Sequence, residues 1–475
     1  DEEPPGAAAA AAARPRTAST MGIMDFGLAL DPAPRSNLWL LHSCRPPDDV
    51  SVRRLLGAAQ TVANQMRFLV LKVHSHREIS ACRSKLDTLE LYTPFADVPA
   101  EAKFELVRST SGIPAASRSV GALVGMAVAD ALGAPFEFMD AVDAPRRGGP
   151  YLDLASLEIV GHVRNKFRVR PGQWTDDTSM GLCLADSLLA RGDYDGSDVR
   201  VRFHNWWFRG YNNAFRNDRR RVGSVGLGGN ISKSLAAMRA GEAPGPRYDA
   251  QSEDSGNGSL MRLAPVPLFF SHDPVIAAQV SAESSRSTHP GGLAAACCAF
   301  FGFALAKAIH RASEMTAQEF LDDVVDAFAA AGMPGAEGCR ELARLLRSAE
   351  PPGCEQCWNW RAEALPVTRS LRARGSKYNG YPCTAGYFGS YCIDGLAIAL
   401  WSFYHTDSFL EAVVRCVNFL GDADTTAAIC GQLAGAFYGH ESIDPRLLER
   451  LAPWDDHDIA CRGALLWAAG SMAGV

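Results

Sequence analysis

LAAACCAFFGFALA, residues 293–306, is the longest apolar run in the chain. Its 14 residues are fewer than the ~18 that a membrane-spanning helix needs, so the run predicts a buried helix. Because the apolar character continues on all sides of the helix to Ile309, we expect this segment at the centre of the protein. No membrane-spanning segment is expected.

Around this central helix, other segments have the small and apolar residues of buried helices. They are residues 119–132, 177–190 and 425–438. Few segments alternate between apolar and polar residues with a period of two, which is the pattern of a half-buried strand. The sequence therefore predicts a mostly α protein.

Composition excludes several classes of protein. The chain has 475 residues, with 47% hydrophobic and 21% charged residues, as in an ordinary globular protein. Its net charge of −6 argues against a dedicated nucleic-acid-binding protein, which usually carries a basic excess. A basic run at 216–221, close to Trp206 and Trp207, is interpreted as a surface loop.

The 13 cysteines show no regular spacing of the kind that a secreted disulfide framework has. Reduced thiols and an intracellular location are therefore expected, cytoplasmic by default and with organelle targeting not excluded. Cys354 and Cys357 have the spacing of half a zinc site, but no second ligand pair follows at zinc-finger distance.

Three parts of the chain differ in composition. Residues 1–20 are expected to be a disordered alanine-rich tail. Residues 21–115 are an N-terminal extension of unknown function, of possible α+β character, with a predicted helix at 52–68 and strand at 67–74. It ends in a polar linker at 109–119. Residues 116–475 form the predicted helical domain.

Two turns combine carboxylates with threonines ahead of an apolar helix. They are GQWTDDTS, residues 172–179, and GDADTTA, residues 421–427. Helix capping alone would explain one aspartate in each turn. Paired carboxylates repel each other unless a cation lies between them, and oxygen ligands without His or Cys suit Mg²⁺, Mn²⁺ or Ca²⁺. Together, the turns predict a site that could hold two metal ions.

Three further segments place polar residues on turns. GNGS, residues 256–259, has the glycines that let a phosphate approach the backbone, although it is also an ordinary turn sequence. DALGAPFE, residues 130–137, places Glu137 after a Gly/Pro loop. In THPGG, residues 288–292, His289 is either structural or a functional residue. Each segment alone is a weak signal of function.

In this order, the five turns resemble those of the ADP-ribosylglycohydrolase family. The resemblance covers roughly two-thirds of the chain, from about residue 119 to about residue 439, and its combination of motifs is highly specific. It implies an all-α bundle of the ADP-ribosylglycohydrolase type with a binuclear metal centre. Ala129 and Leu420 depart from residues that are frequent in the family, and neither is a ligand position.

The resemblance also implies roles for individual residues. The matching metal ligands are Thr175, Asp176, Asp177, Asp422, Asp424 and Thr425. The positions that match the family's substrate cleft are Gly256, Asn257, Gly258, Ser259, His289 and Tyr391. Glu137 matches a mobile acidic residue near the metals, and the catalytic candidates are Glu137, Asp176 and Asp177. Two divalent cations are the expected cofactors, with Mg²⁺ favoured over Mn²⁺.

These residues predict a metal-dependent hydrolase that cleaves the glycosidic bond between ADP-ribose and an acceptor. The expected partner is an ADP-ribosylated protein or another ADP-ribose conjugate, without nucleic acid or membrane, and the chain is expected to be a monomer. Two alternatives stay open: an inactive ADP-ribose-binding or structural relative, and a metal-dependent phosphoester hydrolase. The sequence does not distinguish arginine, serine and other acceptors.

Overall fold

The computed structural model describes residues 29–30, 49–83, 93–143 and 151–473. Short gaps inside the last range lie at 219, 222, 251, 253, 313, 334–338, 352–357, 376, 379–380 and 383–385. The predicted tail of residues 1–20 and the cysteine pair at 354 and 357 therefore lie outside the described residues.

The described part of the chain is dominated by α-helices, which are numbered here in chain order. They are α1 (Val50–Ala63), α2 (His76–Arg83), α3 (Ala100–Arg108), α4 (Pro114–Gly133), α5 (Asp176–Arg191), α6 (Gly196–Arg209), α7 (Gly229–Ala236), α8 (Pro265–Phe269), α9 (Pro274–Ser285), α10 (Gly292–Ile309), α11 (Ala317–Ala330), α12 (Arg340–Arg347), α13 (Val367–Arg374), α14 (Cys392–Tyr404), α15 (Phe409–Val417), α16 (Ala423–Tyr438), α17 (Pro445–Leu451) and α18 (Asp458–Ala473). Two antiparallel pairs of two-residue strands join β1 (Ala29–Leu30) to β2 (Leu69–Val70) and β3 (Lys377–Tyr378) to β4 (Tyr381–Pro382). The predicted mostly α fold is confirmed.

Helix α10 contains the longest apolar run and lies in the core. This helix and the segment Pro114–Phe136 are long and apolar enough to cross a membrane by length and composition. In their most apolar stretches, however, 83% and 94% of the residues are buried inside the protein. Both segments therefore form the core of the bundle, as predicted for α10.

Helices α4 and α16 pack against each other through glycines. A Cβ on Gly121 would overlap the carbonyl of Gly435, and a Cβ on Gly125 would overlap the carbonyl of Gly431. Only glycine permits two helix backbones to approach this closely. The same close packing continues to Gly133, where a Cβ would overlap the first turn of α16. The C-terminal end of α4 is thus fixed beside the N-terminus of α16.

Helix α4 begins at Pro114, so the connection before it is shorter than the predicted linker of residues 109–119. Proline is well suited to the first helical position, because its missing N–H needs no partner there and its φ is already helical. The polar residues Ser117 and Ser119 are buried in the first turns of the core helix. The prediction of a linker over residues 114–119 is wrong.

The N-terminal extension packs onto the helical bundle. Lys103 on α3 has a side chain that is 2% exposed, and its Nζ lies 2.9 Å from Asp456 and 2.7 Å from Asp458 at the start of α18. On the other side, the backbone N–H of His74 donates to Nε2 of His204 on α6 at 3.1 Å.

Two details of the extension differ from the prediction. The helix predicted over residues 52–68 ends at Ala63, and the strand predicted over 67–74 is limited to β2. The reason is that part of the backbone after β2 bonds to the side chains of α6: Asn205 Nδ2 donates to the carbonyl of Lys72 at 3.0 Å. Those backbone groups therefore need no neighbouring strand.

Candidate active site

The ends of three core helices meet at one place and bring the predicted acidic residues together. The C-terminal end of α4 meets the N-termini of α5 and α16, which carry the two acidic turns. The carboxylate oxygens form two groups, in each of which the oxygens lie within 4.8 Å of one another. They are Asp130, Asp177 and Asp424, here called cluster 1, and Glu137, Asp422 and Asp424, here called cluster 2. All of these residues are buried, and Asp424 belongs to both clusters.

Asp130, near the end of α4, holds the first acidic turn in place. Its carboxylate accepts hydrogen bonds from the backbone N–H and the hydroxyl of Thr175 and from the same two groups of Thr178, at 2.6–3.1 Å. Burial raises the pKa of Asp130 to about 6, although these hydrogen bonds oppose the rise. Asp130 begins the segment DALGAPFE, residues 130–137, but no local signal in that segment predicted this role.

Two buried carboxylate oxygens in the clusters, Glu137 Oε2 and Asp177 Oδ1, have no hydrogen-bond partner among the described residues. Burial, together with the charges of Asp424 and Asp422, raises the pKa of the Glu137 carboxyl far above its ordinary value. Burial also raises the pKa of Asp177 well above its ordinary value. Since a buried carboxylate without a partner is costly, the clusters require either protons or a cation. Their oxygen-only chemistry fits a divalent cation such as Mg²⁺ or Mn²⁺.

The two predicted threonine ligands lie at different clusters. The Thr175 hydroxyl is 2.9 Å from Asp130, 3.0 Å from Asp177 and 3.4 Å from Asp424, and therefore lies within cluster 1. Thr425 lines the cavity that cluster 2 faces. Both hydroxyl oxygens are near the carboxylates, as the predicted ligand set requires.

Asp176 follows Thr175 and faces the cavity from the start of α5. Burial raises the pKa of its carboxyl well above the ordinary value, and the charge of Asp424 adds to the rise. The structure thus brings all six predicted metal-ligand residues to the end of the bundle where the two clusters lie.

The Gly-Asn-Gly turn packs against cluster 2. Asn257 Nδ2 donates a hydrogen bond to Asp422 at 2.6 Å, which orients that carboxylate. Gly256 and Gly258 line the cavity, and the backbone of Gly256 pairs with that of Tyr391. Tyr391 is not in the described lining of the cavity, and this backbone pairing joins it to the turn.

His289 and Ser259 lie on different sides of this turn. His289 is in the cavity wall, and its Nδ1 is 2.8 Å from the Thr288 hydroxyl. Burial and the charge of Arg262 lower the pKa of His289 to about 3, so the ring is neutral at pH 7 and suits a hydrogen-bonding role. The hydroxyl of Ser259 instead accepts a hydrogen bond from Ser285 at 2.8 Å, behind the turn. Among the described residues, Ser259 does not line the cavity.

A cavity of about 760 Å³ opens beside the carboxylates. Such a volume is within the range of sites that bind large small-molecule ligands. Its polar wall carries Glu137, Asp176, Asp422 and Asp424. Aromatic rings form much of the remaining wall: Phe138, Phe167, Trp207 and Tyr387.

A second glycine-rich loop, which the sequence analysis missed, covers part of the cavity. In this loop Gly226 has φ of +88°, and a Cβ there would overlap Oδ1 of Asp176. Glycine is therefore required for the loop to lie on the carboxylate. The available signal was the run Gly226-Leu-Gly-Gly, which has no fixed motif spacing and so predicted no site.

Comparisons with known proteins agree with this geometry. The family model for ADP-ribosylglycohydrolase matches residues 112–471. The chain is 29% identical over 378 residues to the ADP-ribosylarginine hydrolase Tri1 of Pseudomonas putida (strain GB-1), which covers 77% of this chain and 84% of that protein. It is 27% identical over 335 residues to the ADP-ribosyl-(dinitrogen reductase) glycohydrolase of Rhodospirillum rubrum, covering 70% of this chain and 90% of that protein.

A solved structure described as an ADP-ribosylglycohydrolase-related protein complex is also similar. It shares 27% sequence identity with this chain, covers 75% of this chain and 99% of its own, and has a TM-score of 0.51. Together with the family match, this similarity confirms the predicted fold and the predicted hydrolase class. The chain belongs to the ADP-ribosylglycohydrolase family, whose enzymes cleave the glycosidic bonds of ADP-ribose.

Proposed function

We propose that this protein removes ADP-ribose from arginine side chains of proteins, with two divalent cations bound at clusters 1 and 2. The observation that carries this proposal is that two buried carboxylate clusters share Asp424 beside a cavity of about 760 Å³. A site with this many buried carboxylates is stable only when their charge is neutralised. Cations at this position would lie next to a substrate in the cavity.

The residues that would hold the cations supply oxygen ligands. They are Thr175, Asp176, Asp177, Asp422, Asp424 and Thr425, with Glu137 and Asp130 beside them. Mg²⁺ and Mn²⁺ favour such ligands, whereas zinc sites usually include His or Cys. Divalent cations bound there lower the pKa of water and polarise sugar hydroxyls.

The protein's own groups account for the remaining requirements of the hydrolysis. Glu137 lines the cavity, and once the cations offset the neighbouring carboxylates it would be ionised and placed to accept a proton from the attacking water and return it to the leaving nitrogen. In this reaction the bond from the anomeric carbon to the guanidinium nitrogen breaks, and a bond to the water oxygen forms. Asn257 holds Asp422 in position, and the adjacent glycines leave backbone accessible to the diphosphate.

Arginine as the acceptor is supported by the Pseudomonas putida relative, which is named as an ADP-ribosylarginine hydrolase. Glu137, which lines the cavity and is not among the six proposed cation ligands, also favours a cationic acceptor such as a guanidinium.

We also propose that the protein is an intracellular monomer. The eight cysteines whose side chains the structure describes are free, and seven of them are buried. Free thiols are typical of a reducing compartment. The proposed site residues all come from one chain, so the site needs no second subunit to be complete.

The direct experiment measures ADP-ribose release by mass spectrometry. Arginine-linked and serine-linked ADP-ribosyl peptides would be incubated with the protein in EDTA, in Mg²⁺ and in Mn²⁺. The test variant is Asp424→Ala, and the matched control is Asp326→Ala, which removes an exposed carboxylate on α11.

We expect release from the arginine-linked peptide that requires a cation and is lost in Asp424→Ala but kept in Asp326→Ala. Preferential release from the serine-linked peptide would contradict the proposed acceptor. Release of inorganic phosphate would favour a phosphoester hydrolase. Tight binding of ADP-ribose with no release from either peptide would favour an inactive relative.

A further inference from the structure

Basic side chains are concentrated on one side of the cavity mouth. The segment HVRNKFRVR, residues 162–170, carries Arg164, Lys166 and Arg168, all of which are exposed. Arg220 and Arg221 come from a second loop, and we call these five residues the basic rim. A local excess of cations stands out in a chain whose net charge is −6.

Direct contacts place the basic rim next to the cavity. The Lys166 Nζ lies 3.9 Å from the centre of the Phe138 ring, and Arg164 donates a hydrogen bond to the Phe138 carbonyl at 3.1 Å. Arg221 donates to the carbonyl of Phe167. Because Phe138 and Phe167 both line the cavity, these rim residues contact its wall directly.

The loop that carries most of the rim has a defined conformation. The backbone N–H of Asn165 donates to the carbonyl of Pro135 at 3.0 Å, and its side chain exchanges two hydrogen bonds with Val169 at 2.9 and 3.0 Å. Asn165 and Arg168 have positive φ, at 34° and 54°, which non-glycine residues rarely adopt. Such strain persists only where the surrounding structure fixes the backbone. The backbone that carries these cations is therefore held in place before a partner arrives, which lowers the entropic cost of binding.

The rim's charges are only partly offset within the protein, where the charge of Asp218 acts on Arg220 and Arg221. Among the described residues, no carboxylate forms an ion pair with any of the five rim residues, and the nearby Asp218 is bound by Gln173 at 3.0 Å and lies 3.8 Å from Arg170. The rim cations also lie close together: burial lowers the pKa of Arg221, the charge of Asp218 opposes this change, and the charge of Arg168 adds to it. An anionic partner would relieve this repulsion.

We propose that the basic rim docks an acidic stretch of the ADP-ribosylated protein next to its modified residue. This inference rests on the proposed function, because the rim can select a protein only if the modified side chain enters the adjacent cavity. An acidic protein segment is favoured over nucleic acid by the aromatic residues beside the rim. Phe138 packs against Tyr387 and Phe167, with ring centres 5.6 and 5.8 Å apart, so these rings are engaged with one another rather than free to stack on bases.

The test is the triple variant Arg164→Gln, Lys166→Gln and Arg168→Gln. The matched control is Arg53→Gln, Arg77→Gln and Arg347→Gln, which removes the same charge from exposed positions that are not in the described lining of the cavity. Both variants and the unmutated protein would be assayed with two arginine-linked ADP-ribosyl peptides that differ only in acidic or neutral flanking residues. Binding of free ADP-ribose and of a single-stranded RNA would be measured in parallel.

For the acidic peptide, we expect the rim variant to lose about tenfold in kcat/KM, mainly through KM, at low salt. The loss should shrink as salt rises, because screening weakens exposed charge pairs. The neutral peptide, free ADP-ribose and the control variant should show no change.

Each of the other outcomes points to a different conclusion. Equal loss with both peptides and with ADP-ribose would assign the rim to the nucleotide and overturn the proposal. RNA affinity that falls in the rim variant, with peptide kinetics unchanged, would assign it to nucleic acid. If the rim variant matches the control on every substrate, the rim has no docking role. Failure of the unmutated protein to cleave any peptide would instead count against the proposed function.

Discussion

Asp424 is shared by both carboxylate clusters. Its replacement therefore tests two effects separately: the repulsion between the carboxylates without cations, and the stabilisation by bound cations. Asp424→Asn removes one negative charge and preserves the size of the side chain. In EDTA, we expect this variant to be more stable than the unmutated protein. In Mg²⁺ or Mn²⁺, we expect it to lose the stabilisation that the cations provide.

The size of the effect follows from the distances between the carboxylates. Each neighbour of Asp424 in the clusters has an oxygen within 4.8 Å of it, and two unit charges at that separation repel by about 3.5 kcal/mol at an effective dielectric constant of about 20. Protonation relieves much of this repulsion, because burial raises the pKa of Asp424 and mutual repulsion adds to the rise. We therefore expect a net stabilisation of about 1–3 kcal/mol, or about 1–4 °C in Tm for a chain of this size.

Thermal unfolding in EDTA, and again with cation at about 100 times its Kd, measures both effects. The unmutated protein should gain about 2.7 kcal/mol from each bound cation, and Asp424→Asn should gain little. The matched control is Asp186→Asn, which changes another buried aspartate, one paired with Arg462 at 2.7 Å. This control should be destabilised by about 3–5 kcal/mol in EDTA and keep its response to the cation.

Two results would refute this reasoning. If Asp424→Asn lowers Tm in EDTA as Asp186→Asn does, the clusters are not repulsive when free of cations. If Asp424→Asn keeps the full response to the cation, Asp424 is not a ligand shared by both clusters.

Three further predictions concern pH, the glycine loop and the extension. In EDTA, carboxyls whose pKa is raised in the folded protein release protons on unfolding, so the free energy of unfolding should fall as pH rises from about 4 through the pKa of about 6 of Asp130. Over the same range, the stabilisation by added cation should grow. Thermal scans from pH 4.5 to 8 that show a pH-independent response to the cation would contradict this prediction. Gly226→Ala should lower kcat/KM by about tenfold or more with little change in Tm, because the new Cβ would displace the Asp176 carboxylate. Gly223 has open space around it, so Gly223→Ala should behave as the unmutated protein. Lys103→Met should lower the free energy of unfolding, measured in urea, by about 3–5 kcal/mol, because it removes a partner of the buried Asp458. A decrease below about 1 kcal/mol would show that this ion pair does not hold the extension.

Local sequence signals were sufficient to predict the helices and the acidic turns. The apolar run at 293–306 and the motifs at 175–178 and 421–427 act through short-range rules, namely periodicity, capping and carboxylate pairing. The placement of Glu137 beside the carboxylates came instead from the resemblance to the family. The all-α class and the shared site followed from the same signals.

Side-chain directions across distant segments could not be predicted in this way. Asp130 accepts four hydrogen bonds from a turn 45 to 48 residues later, and Ser259 turns its hydroxyl to Ser285 although its neighbours line the cavity. Both depend on how helix ends meet in three dimensions. The strand predicted before His74 failed for a related reason, since a helix side chain satisfies the backbone there.

The glycine contact between α4 and α16 couples the proposed ligands to the most protected part of the protein. Asp130 is on α4 and Asp424 is on α16, and no side chain separates the two backbones at Gly125 and Gly431. The helices therefore cannot slide or part by a fraction of a turn without moving both carboxylates. Local opening of this pair and release of a bound cation would be one event, and the backbone amides of these two helices would exchange with solvent deuterium only when the cation had left.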